Sequence, residues 1–174
     1  MVIKMNLAAK NIHKKMPDYT AIKKLYKRSF PRKEQIPLWI LRIMVHRKII
    51  NAKAFYDGDK LCGFAYIIEQ EKVLYILYLA VSDAVRGQGY GSEIIKWLRD
   101  RYPDKTILLE VEAPDENADN AQERNRRIAF YKKNGIYETK EFFSMRGVRY
   151  EILSSEENFV REDYDAFWKK LFRR

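Results

Sequence analysis

The sequence predicts an α+β fold in which helices flank a mixed, mostly antiparallel sheet of about six to seven strands. Three apolar segments between Ala54 and Val81 are joined by connections too short for a crossover, which predicts antiparallel neighbours. The order strand, glycine-rich loop, helix and strand over residues 73–111 predicts one parallel pair with a right-handed crossover. Because no Pro/Ser/Gly-rich linker divides the 174 residues, we expect a single domain over residues 1–174.

Two helices are predicted before the first of these strands. Pro17 opens the first, and Pro31 ends it because proline disfavours helix in the preceding residue. The second, from about Pro37 to Arg47, is apolar around most of its circumference and is expected to be well buried. The three strands are then predicted at Ala54–Tyr56, Leu61–Ile68 and Val73–Val81, with a hairpin turn at Asp57-Gly58 between the first two.

Helices and strands alternate in the second half of the chain. An apolar stripe from Ile94 to Tyr102 predicts a helix that Pro103 stops. Gly135 occupies a left-handed cap position for a helix over about Ala121–Asn134. The other elements are predicted as a strand at Thr106–Val111, two strands at Tyr137–Met145 and Val148–Leu153 that meet around Arg146-Gly147, and a helix over about Glu157–Phe172.

The composition is that of a globular domain, with 47% hydrophobic and 33% charged residues. No apolar run approaches the roughly 18–20 residues of a membrane span, and residues 1–6 show no secretory signal. We therefore expect a cytoplasmic protein with no membrane association. The single cysteine, Cys62, is expected to be a small buried hydrophobe. His13 and His46 form no metal-ligand spacing, so no metal is expected.

Basic residues are concentrated in the first third of the chain. Residues 1–60 carry 15 Lys+Arg and 4 Asp+Glu, a net charge of +11, whereas residues 61–174 carry 19 and 20, a net charge of −1. Such an excess is typical of a surface for an acidic partner, such as nucleic acid or an anionic acceptor, and also of solvated helix faces. No known nucleic-acid-binding motif accompanies it.

The strongest motif is the segment 86–91, Arg-Gly-Gln-Gly-Tyr-Gly, which joins a buried strand to a helix. Glycine at every second position lets the backbone approach a ligand and adopt positive φ. The first amides of a helix have no internal partners, and together with the helix dipole they predict a pyrophosphate site. Arg86 is expected to add a charged hydrogen bond.

Three other interpretations of this segment fit its residues less well. A tight turn without a ligand does not explain three of the chain's seven glycines within five residues. A P-loop needs Lys-Ser/Thr after the last glycine, and none follows Gly91. A dinucleotide-binding fold would use Glu110 as its ribose-binding acid, but the Gly-x-Gly-x-Gly spacing and the antiparallel strands before it differ from that fold.

The motif Arg86-x-x-Gly89-x-Gly91, preceded by Leu79-Ala80-Val81, resembles the acyl-CoA-binding motif of the GNAT superfamily of N-acetyltransferases. The resemblance runs from Leu61 to about Phe143 and implies that the amides of residues 87–92 hold the CoA pyrophosphate. It also implies that residues 79–81 splay from the neighbouring strand and pair with the pantetheine arm. The cofactor-binding residues implied for acetyl-CoA are Leu79, Ala80, Val81, Arg86, Gly87, Gln88, Gly89, Tyr90, Gly91 and Ser92.

A second motif, residues 126–136, is similar to the family's helix that ends in Phe/Leu-Tyr before a glycine. The resemblance implies that Tyr131 is the general acid that protonates the leaving sulfur; the alternative is a tyrosine packed beside Ile128. The family often has an asparagine seven residues before this tyrosine. This chain has Arg124 there and Asn125 one place later, so a CoA contact by Asn125 does not follow.

Glu110 and Glu112 share one face of their strand, because side chains alternate. We select Glu110 as the general base that takes the amine's proton, directly or through water. The alternatives are a surface acid pair, an ion pair with a nearby Arg or Lys, or solvent as the proton acceptor.

The resemblance implies an enzyme that transfers an acetyl group from acetyl-CoA to a primary amine by direct attack in a ternary complex. The acceptor is expected to be an amine on a small molecule, a protein or a peptide. Two other functions stay open: a non-catalytic CoA-binding or CoA-sensing domain of the same fold, and an RNA- or ribosome-associated modifier that uses the basic first third. Association with nucleic acid has no motif to support it, and a homodimer is also left open.

Overall fold

The computed structural model describes residues 5–173. Residues 1–4, on which part of the secretory-signal prediction rests, lie outside this range. The helices are α1 Tyr19–Ser29, α2 Leu38–His46, α3 Tyr90–Arg101, α4 Ala121–Lys133 and α5 Arg161–Phe172. The strands are β1 Leu7–Asn11, β2 Asn51–Asp57, β3 Lys60–Glu69, β4 Val73–Val81, β5 Thr106–Glu112, β6 Tyr137–Met145 and β7 Val148–Ser154.

The seven strands form a mixed sheet in the order β1-β2-β3-β4-β5-β7-β6. β1 with β2, β2 with β3, β5 with β7 and β6 with β7 are antiparallel. β4 and β5 are parallel, in register from Val73 with Thr106 to Tyr75 with Leu108. The α+β fold and the one parallel pair predicted from the sequence are thereby confirmed.

Three backbone features agree with the predicted turns. Gly135 follows α4 with φ 71°, the left-handed conformation expected of its cap position. Arg146 and Gly147, at φ 51° and 76°, connect β6 to β7. Two successive residues of positive φ are typical of a type I′ turn, whose twist matches that of a hairpin.

Three element predictions need correction. Strand β1 was not predicted, and it pairs with β2 from Leu7 opposite Asp57 to Asn11 opposite Lys53. Helix α5 begins at Arg161, four positions later than predicted. Helix α2 was expected to be well buried and is not, since Leu41 alone among its residues is buried.

The exposed side of α2 shows why its hydrophobicity was misleading. The side chains of Trp39 and Ile43 are 58% and 44% exposed. Leu41 is 1% exposed and is the helix's contact with the core. An apolar circumference predicts burial only where other elements surround a helix, and α2 is covered on one side.

The chain divides into two compact units, and each is described by itself. Unit 1 contains the residues up to Glu69 and Ile76–Pro103, and unit 2 contains Gln70–Tyr75 and the residues from Asp104 onward. The division therefore falls inside β4, directly after its last pair with β5 at Tyr75. The prediction of one domain over 1–174 stays a prediction.

Unit 1 has an aromatic core. Tyr26 of α1 lies edge-on to Tyr78 of β4, with ring centroids 5.0 Å apart, and at 6.3 Å from Phe64 of β3. The hydroxyl of Tyr78 donates to the carbonyl of Glu34 at 2.6 Å. This contact ties the segment after α1 to the sheet, so the buried tyrosine has a polar partner.

Unit 2 buries a carboxylate without fully satisfying it. Glu151 of β7 is 0% exposed. Its Oε1 accepts a hydrogen bond from the backbone N–H of Lys140 at 3.1 Å, and the Lys140 ammonium lies 3.9 Å away. Its Oε2 is buried and has no hydrogen-bond partner in residues 5–173. Burial raises the pKa of Glu151, and the Lys140 amide partly opposes this.

We expect Glu151→Gln to stabilise the protein at neutral pH. A raised native pKa means that the folded state binds the proton more tightly, so stability falls as pH rises from the ordinary carboxyl pKa through the raised one. Glutamine keeps the acceptor and carries no charge, so thermal denaturation at pH 7.5 should show a gain of about 2–4 °C, the effect of roughly 1 kcal/mol.

The gain should vanish at a pH below the ordinary carboxyl range, where Glu151 is protonated. Glu116→Gln, at an exposed position of the same unit, is the control and should leave the melting temperature unchanged. A lower melting temperature for Glu151→Gln at pH 7.5 would show that the ionised carboxylate is stabilising.

Within the described residues, no helix has the length and apolar character needed to cross a membrane. The same residues contain no group of three His, Cys, Asp or Glu side chains placed to hold a metal ion.

Candidate functional site

The predicted phosphate loop lies in unit 1, between β4 and α3. The N–H of Ser82 donates to the carbonyl of Cys62 at 2.8 Å, which joins the end of β4 to β3. A 3-10 turn, Asp83–Val85, follows. Gly87 and Gly89 then adopt φ 75° and 91°, conformations that L side chains rarely adopt.

Four amides of this loop have no hydrogen-bond acceptor in the described part of the chain. They belong to Gly87, Gly89, Tyr90 and Gly91, and the latter two open α3. No side chain in the described part of the chain caps the helix. A Cβ added at Gly87 would meet nothing within 4 Å, so the loop backbone is open to a ligand. Unpartnered amides at a helix N-terminus are suited to an anion.

Two other amides of the predicted set are engaged. Gln88 donates its backbone N–H to Val85 at 3.3 Å, and Ser92 donates to Gly89 at 3.0 Å. The side-chain amide of Gln88 donates to the carbonyl of Ala84 at 3.3 Å. The available donors are therefore fewer than the continuous run over residues 87–92 that the resemblance implies.

A small apolar cluster supports the loop. Cys62, Val85 and Tyr90 are buried together, with Met5 and Val81 packed against them. Cys62 is 0% exposed, as predicted. Burial raises the pKa of its thiol, which keeps it protonated and unsuited to nucleophilic attack.

The side chain of Tyr90 is engaged with the β2–β3 hairpin. Its hydroxyl donates to Asp57 at the end of β2, at 2.6 Å. This hydrogen bond, with some burial, raises the pKa of Tyr90 to about 12. Tyr90 therefore offers a ligand its backbone amide, while its ring and hydroxyl fix the start of α3 to the β2–β3 hairpin.

Arg86 is held beside the loop by an acidic partner. Its guanidinium lies 2.9 Å from Asp83, and its Nε donates to the carbonyl of Val81 at 3.4 Å. Arg28 of α1 reaches the other carboxylate oxygen of Asp83 at 2.5 Å. Two arginines thus share the carboxylate of Asp83, and their excess of positive charge over this one carboxylate favours an anionic ligand.

Gly63 of β3 permits a close approach at the end of β4. A Cβ at this position would lie 2.4 Å from the carbonyl oxygen of Ala80 and 3.3 Å from the Cα of Val81. A larger residue would displace the strand that carries Leu79, Ala80 and Val81. Sequence reasoning did not single out this glycine, although glycine inside a strand often marks such a contact.

Glu110 lies on β5 in unit 2, opposite Ile152 of β7. Tyr164 of α5 donates its hydroxyl to Glu110 Oε1 in a short hydrogen bond. Burial raises the pKa of Glu110, while hydrogen bonding by Tyr164 and Tyr75 and the charge of Arg161 oppose that rise. A half-buried carboxylate with a raised pKa is a reasonable proton acceptor near neutral pH.

Glu112, the other acid of the predicted pair, is committed to structural contacts. It is 4% exposed, accepts a hydrogen bond from Asn120 at 2.7 Å and lies 3.2 Å from Arg124 Nε. Arg124 also donates to the carbonyl of Ala113 at 3.0 Å. Arg124, which stands where the family often has an asparagine, therefore ties the start of α4 to the end of β5.

Tyr131 lies on α4, also in unit 2. It is 7% exposed, and its ring centroid is 5.1 Å from that of Phe130. Its hydroxyl has no hydrogen-bond partner in the described residues, and burial raises its pKa to about 12. Tyr131 thus holds its proton at neutral pH, which is compatible both with the general-acid role and with the packing alternative.

Comparison with known proteins decides the family. The model of the Acetyltransferase (GNAT) family matches residues 19–136, more than half of the chain. The chain belongs to this family. The matched segment includes the glycine loop, Glu110 and Tyr131.

Individual relatives of this GNAT domain are distant. YjbC of Bacillus subtilis (strain 168), named as an acetyltransferase, is 30% identical over 100 residues, which cover 58% of this chain and 46% of YjbC. The match thus spans less than half the length of that relative.

Solved structures share the fold. A protein from Bacteroides thetaiotaomicron, named as a GNAT-family acetyltransferase, has a TM-score of 0.76 at 24% identity, over 94% of this chain and 95% of its own. Spermidine N-acetyltransferase from Vibrio cholerae, in complex with CoA and spermine, has a TM-score of 0.63 at 16% identity, over 85% and 94%. At these identities the similarity shows the fold alone.

Proposed function

We propose that this GNAT domain transfers an acetyl group from acetyl-CoA to a primary amine by direct attack in a ternary complex. The observation that carries the proposal is the set of four amides, at residues 87 and 89–91, that find no acceptor within residues 5–173. They occur at the N-terminus of α3, beside two arginines that share one carboxylate. Such donors suit the two linked phosphates of CoA.

The proposed loop residues fit the nucleotide part of the co-substrate. The open space at Gly87 and the left-handed Gly89 allow the backbone to approach a phosphate closely. Strand β4 continues to Val81, beyond its last recorded pair with β5 at Tyr75. This continuation supports the proposal that residues 79–81 pair with the pantetheine arm.

The chemical roles follow from what each side chain can do. Bound acetyl-CoA supplies an acyl group activated as a thioester. The backbone amide near Val81 is proposed to polarise its carbonyl. Tyr131 donates a proton to the sulfur as the carbon–sulfur bond breaks, and Glu110 accepts the proton that the attacking amine loses.

The acceptor is proposed to be an amine on a small molecule, a protein or a peptide. The V. cholerae neighbour was solved with spermine, which makes polyamines a sensible first group of substrates to test. The cytoplasmic location and the homodimer stay predictions.

A panel of amines tests the function directly. The protein is incubated with acetyl-CoA and polyamines, amino sugars or short peptides, and thiol release is followed together with the product's mass. Amine-dependent thiol release and an acetylated product are expected. CoA-induced NMR shifts in Gly87–Ser92 without turnover on any amine would favour the CoA-sensing alternative. If millimolar CoA had no effect on these signals, the proposed acetyl transfer and the CoA-sensing alternative would both be overturned.

A further inference from the structure

Helix α5 covers the proposed base from the C-terminal end of the chain. Tyr164 is 6% exposed, and its hydroxyl donates to Glu110 Oε1. One carboxylate oxygen of Glu110 is therefore engaged by a buried phenol. The carboxylate is constrained by a residue 54 positions away in sequence.

Contacts along α5 hold Tyr164 in this place. Near the start of the helix, Arg161 bonds Asp165 at 3.2 Å and Glu141 of β6 at 3.4 Å. Phe167 stacks on Tyr75 with ring centroids 5.3 Å apart. Because the helix is anchored on both sides of Tyr164, the hydroxyl position is determined by packing rather than by Glu110 alone.

The last two turns of α5 are tied to the segment before β4. The carbonyl of Phe167 accepts a hydrogen bond from Gln70 at 3.1 Å, and Lys170 lies 2.5 Å from Glu71. Tyr75, which also hydrogen-bonds Glu110, is the third residue of β4. The same helix therefore carries Tyr164 and packs against Tyr75, the two tyrosines that hydrogen-bond the carboxylate.

The groups around Glu110 differ from those around Glu112. Glu112 is paired with the guanidinium of Arg124. Glu110 has neutral phenolic donors, and the nearby Arg161 directs its guanidinium to Asp165 and Glu141. Neutral donors orient a carboxylate without the strong pKa depression that a directly bound cation causes.

We propose that Tyr164 is a positioning residue for acetyl transfer, its hydroxyl holding the Glu110 carboxylate in the orientation that accepts the acceptor amine's proton. This proposal rests on the proposed function. Tyr164 keeps its own proton and acts through Glu110. The C-terminal helix is thereby part of the catalytic apparatus, outside the residues that the family model matches.

The pH dependence of the reaction tests the proposal. Burial raises the pKa of Glu110, and hydrogen bonds from Tyr164 and Tyr75 and the charge of Arg161 lower it. Removing one hydroxyl therefore raises this pKa further. Since a general base works in its deprotonated form, the acidic limb of the rate profile should move to higher pH.

Tyr164→Phe is the decisive variant, because it keeps the ring that packs near Phe143 and Trp168. We expect kcat to fall about 10-fold, as for loss of one hydrogen bond to a charged group. The midpoint of the acidic limb should move to higher pH by roughly half a pH unit or more. The KM for acetyl-CoA should stay unchanged. In a protein that already carries Glu110→Gln, adding Tyr164→Phe should lower kcat no further.

Tyr137→Phe is the matched control, since it removes a phenol hydroxyl from an exposed position of the same unit and leaves the contacts of α5 intact. It should leave both kcat and the acidic limb unchanged. If Tyr164→Phe also left kcat and the acidic limb at wild-type values, the positioning role would be overturned while acetyl transfer stood.

A carbon-13 NMR titration of the Glu110 carboxyl separates this proposal from the proposed function. Its midpoint can be measured whether or not an amine substrate is known. A higher midpoint in Tyr164→Phe than in wild type is expected. An unchanged midpoint overturns the proposal, whereas failure of every amine to react overturns the proposed function.

Discussion

Gly89→Asp is expected to weaken CoA binding by about 100-fold or more, equivalent to roughly 2.7 kcal/mol. The new carboxylate would lie beside the amides of Tyr90 and Gly91, which have no acceptor among the described residues. It would hydrogen-bond them and repel a phosphate from the N-terminus of α3. Isothermal titration calorimetry with CoA measures the loss directly.

Two controls separate charge from backbone strain. Gly89→Asn has nearly the same shape without the charge, and asparagine and aspartate both tolerate positive φ. Its affinity should fall by a much smaller factor. Gly58→Asp puts the same carboxylate at another left-handed glycine with open space around it, and should leave CoA binding intact. Wild-type affinity in Gly89→Asp would exclude the loop as the pyrophosphate site.

Tyr131→Phe is expected to lower kcat by roughly 10²–10⁴-fold, the range for loss of a general acid. The burial that raises the pKa of Tyr131 to about 12 means that the hydroxyl is protonated across the accessible pH range. Phenylalanine retains the packing of α4, so CoA affinity and melting temperature should change little. Steady-state kinetics with the best amine of the panel provides the measurement.

Tyr66→Phe is matched to this variant in burial and acidity. Tyr66 of β3 is 4% exposed, and burial raises its pKa to about 12 as well. It belongs to the aromatic core of unit 1, where its ring lies 5.7 Å from that of Phe64. Loss of the Tyr66 hydroxyl should leave kcat within a few-fold of wild type. An equally mild effect of Tyr131→Phe would favour the packing alternative.

The features that the sequence predicted well depend on local patterns. Apolar segments bounded by turn residues predicted β3 and β4, and glycine spacing predicted the loop that joins β4 to α3. The left-handed cap at Gly135 follows from the same local chemistry, because only the residue itself and its immediate neighbours determine whether φ can be positive.

The features that were missed depend on contacts distant in sequence. Trp39 is exposed because no element within residues 5–173 covers that side of α2. The role of Arg124 depends on Glu112, at the far end of another element. The contact between Tyr164 and Glu110 joins residues 54 positions apart, and neither residue has a local signal for it.

The hydrogen bond from Tyr90 to Asp57 has a consequence for the dynamics of the hairpin. Opening the end of β2 breaks this bond and releases the first turn of α3, so the two segments should unfold locally as one unit. A molecule that binds the loop would then slow amide hydrogen exchange around residues 57–60, which it does not touch. Deuterium uptake with and without CoA would measure this remote protection.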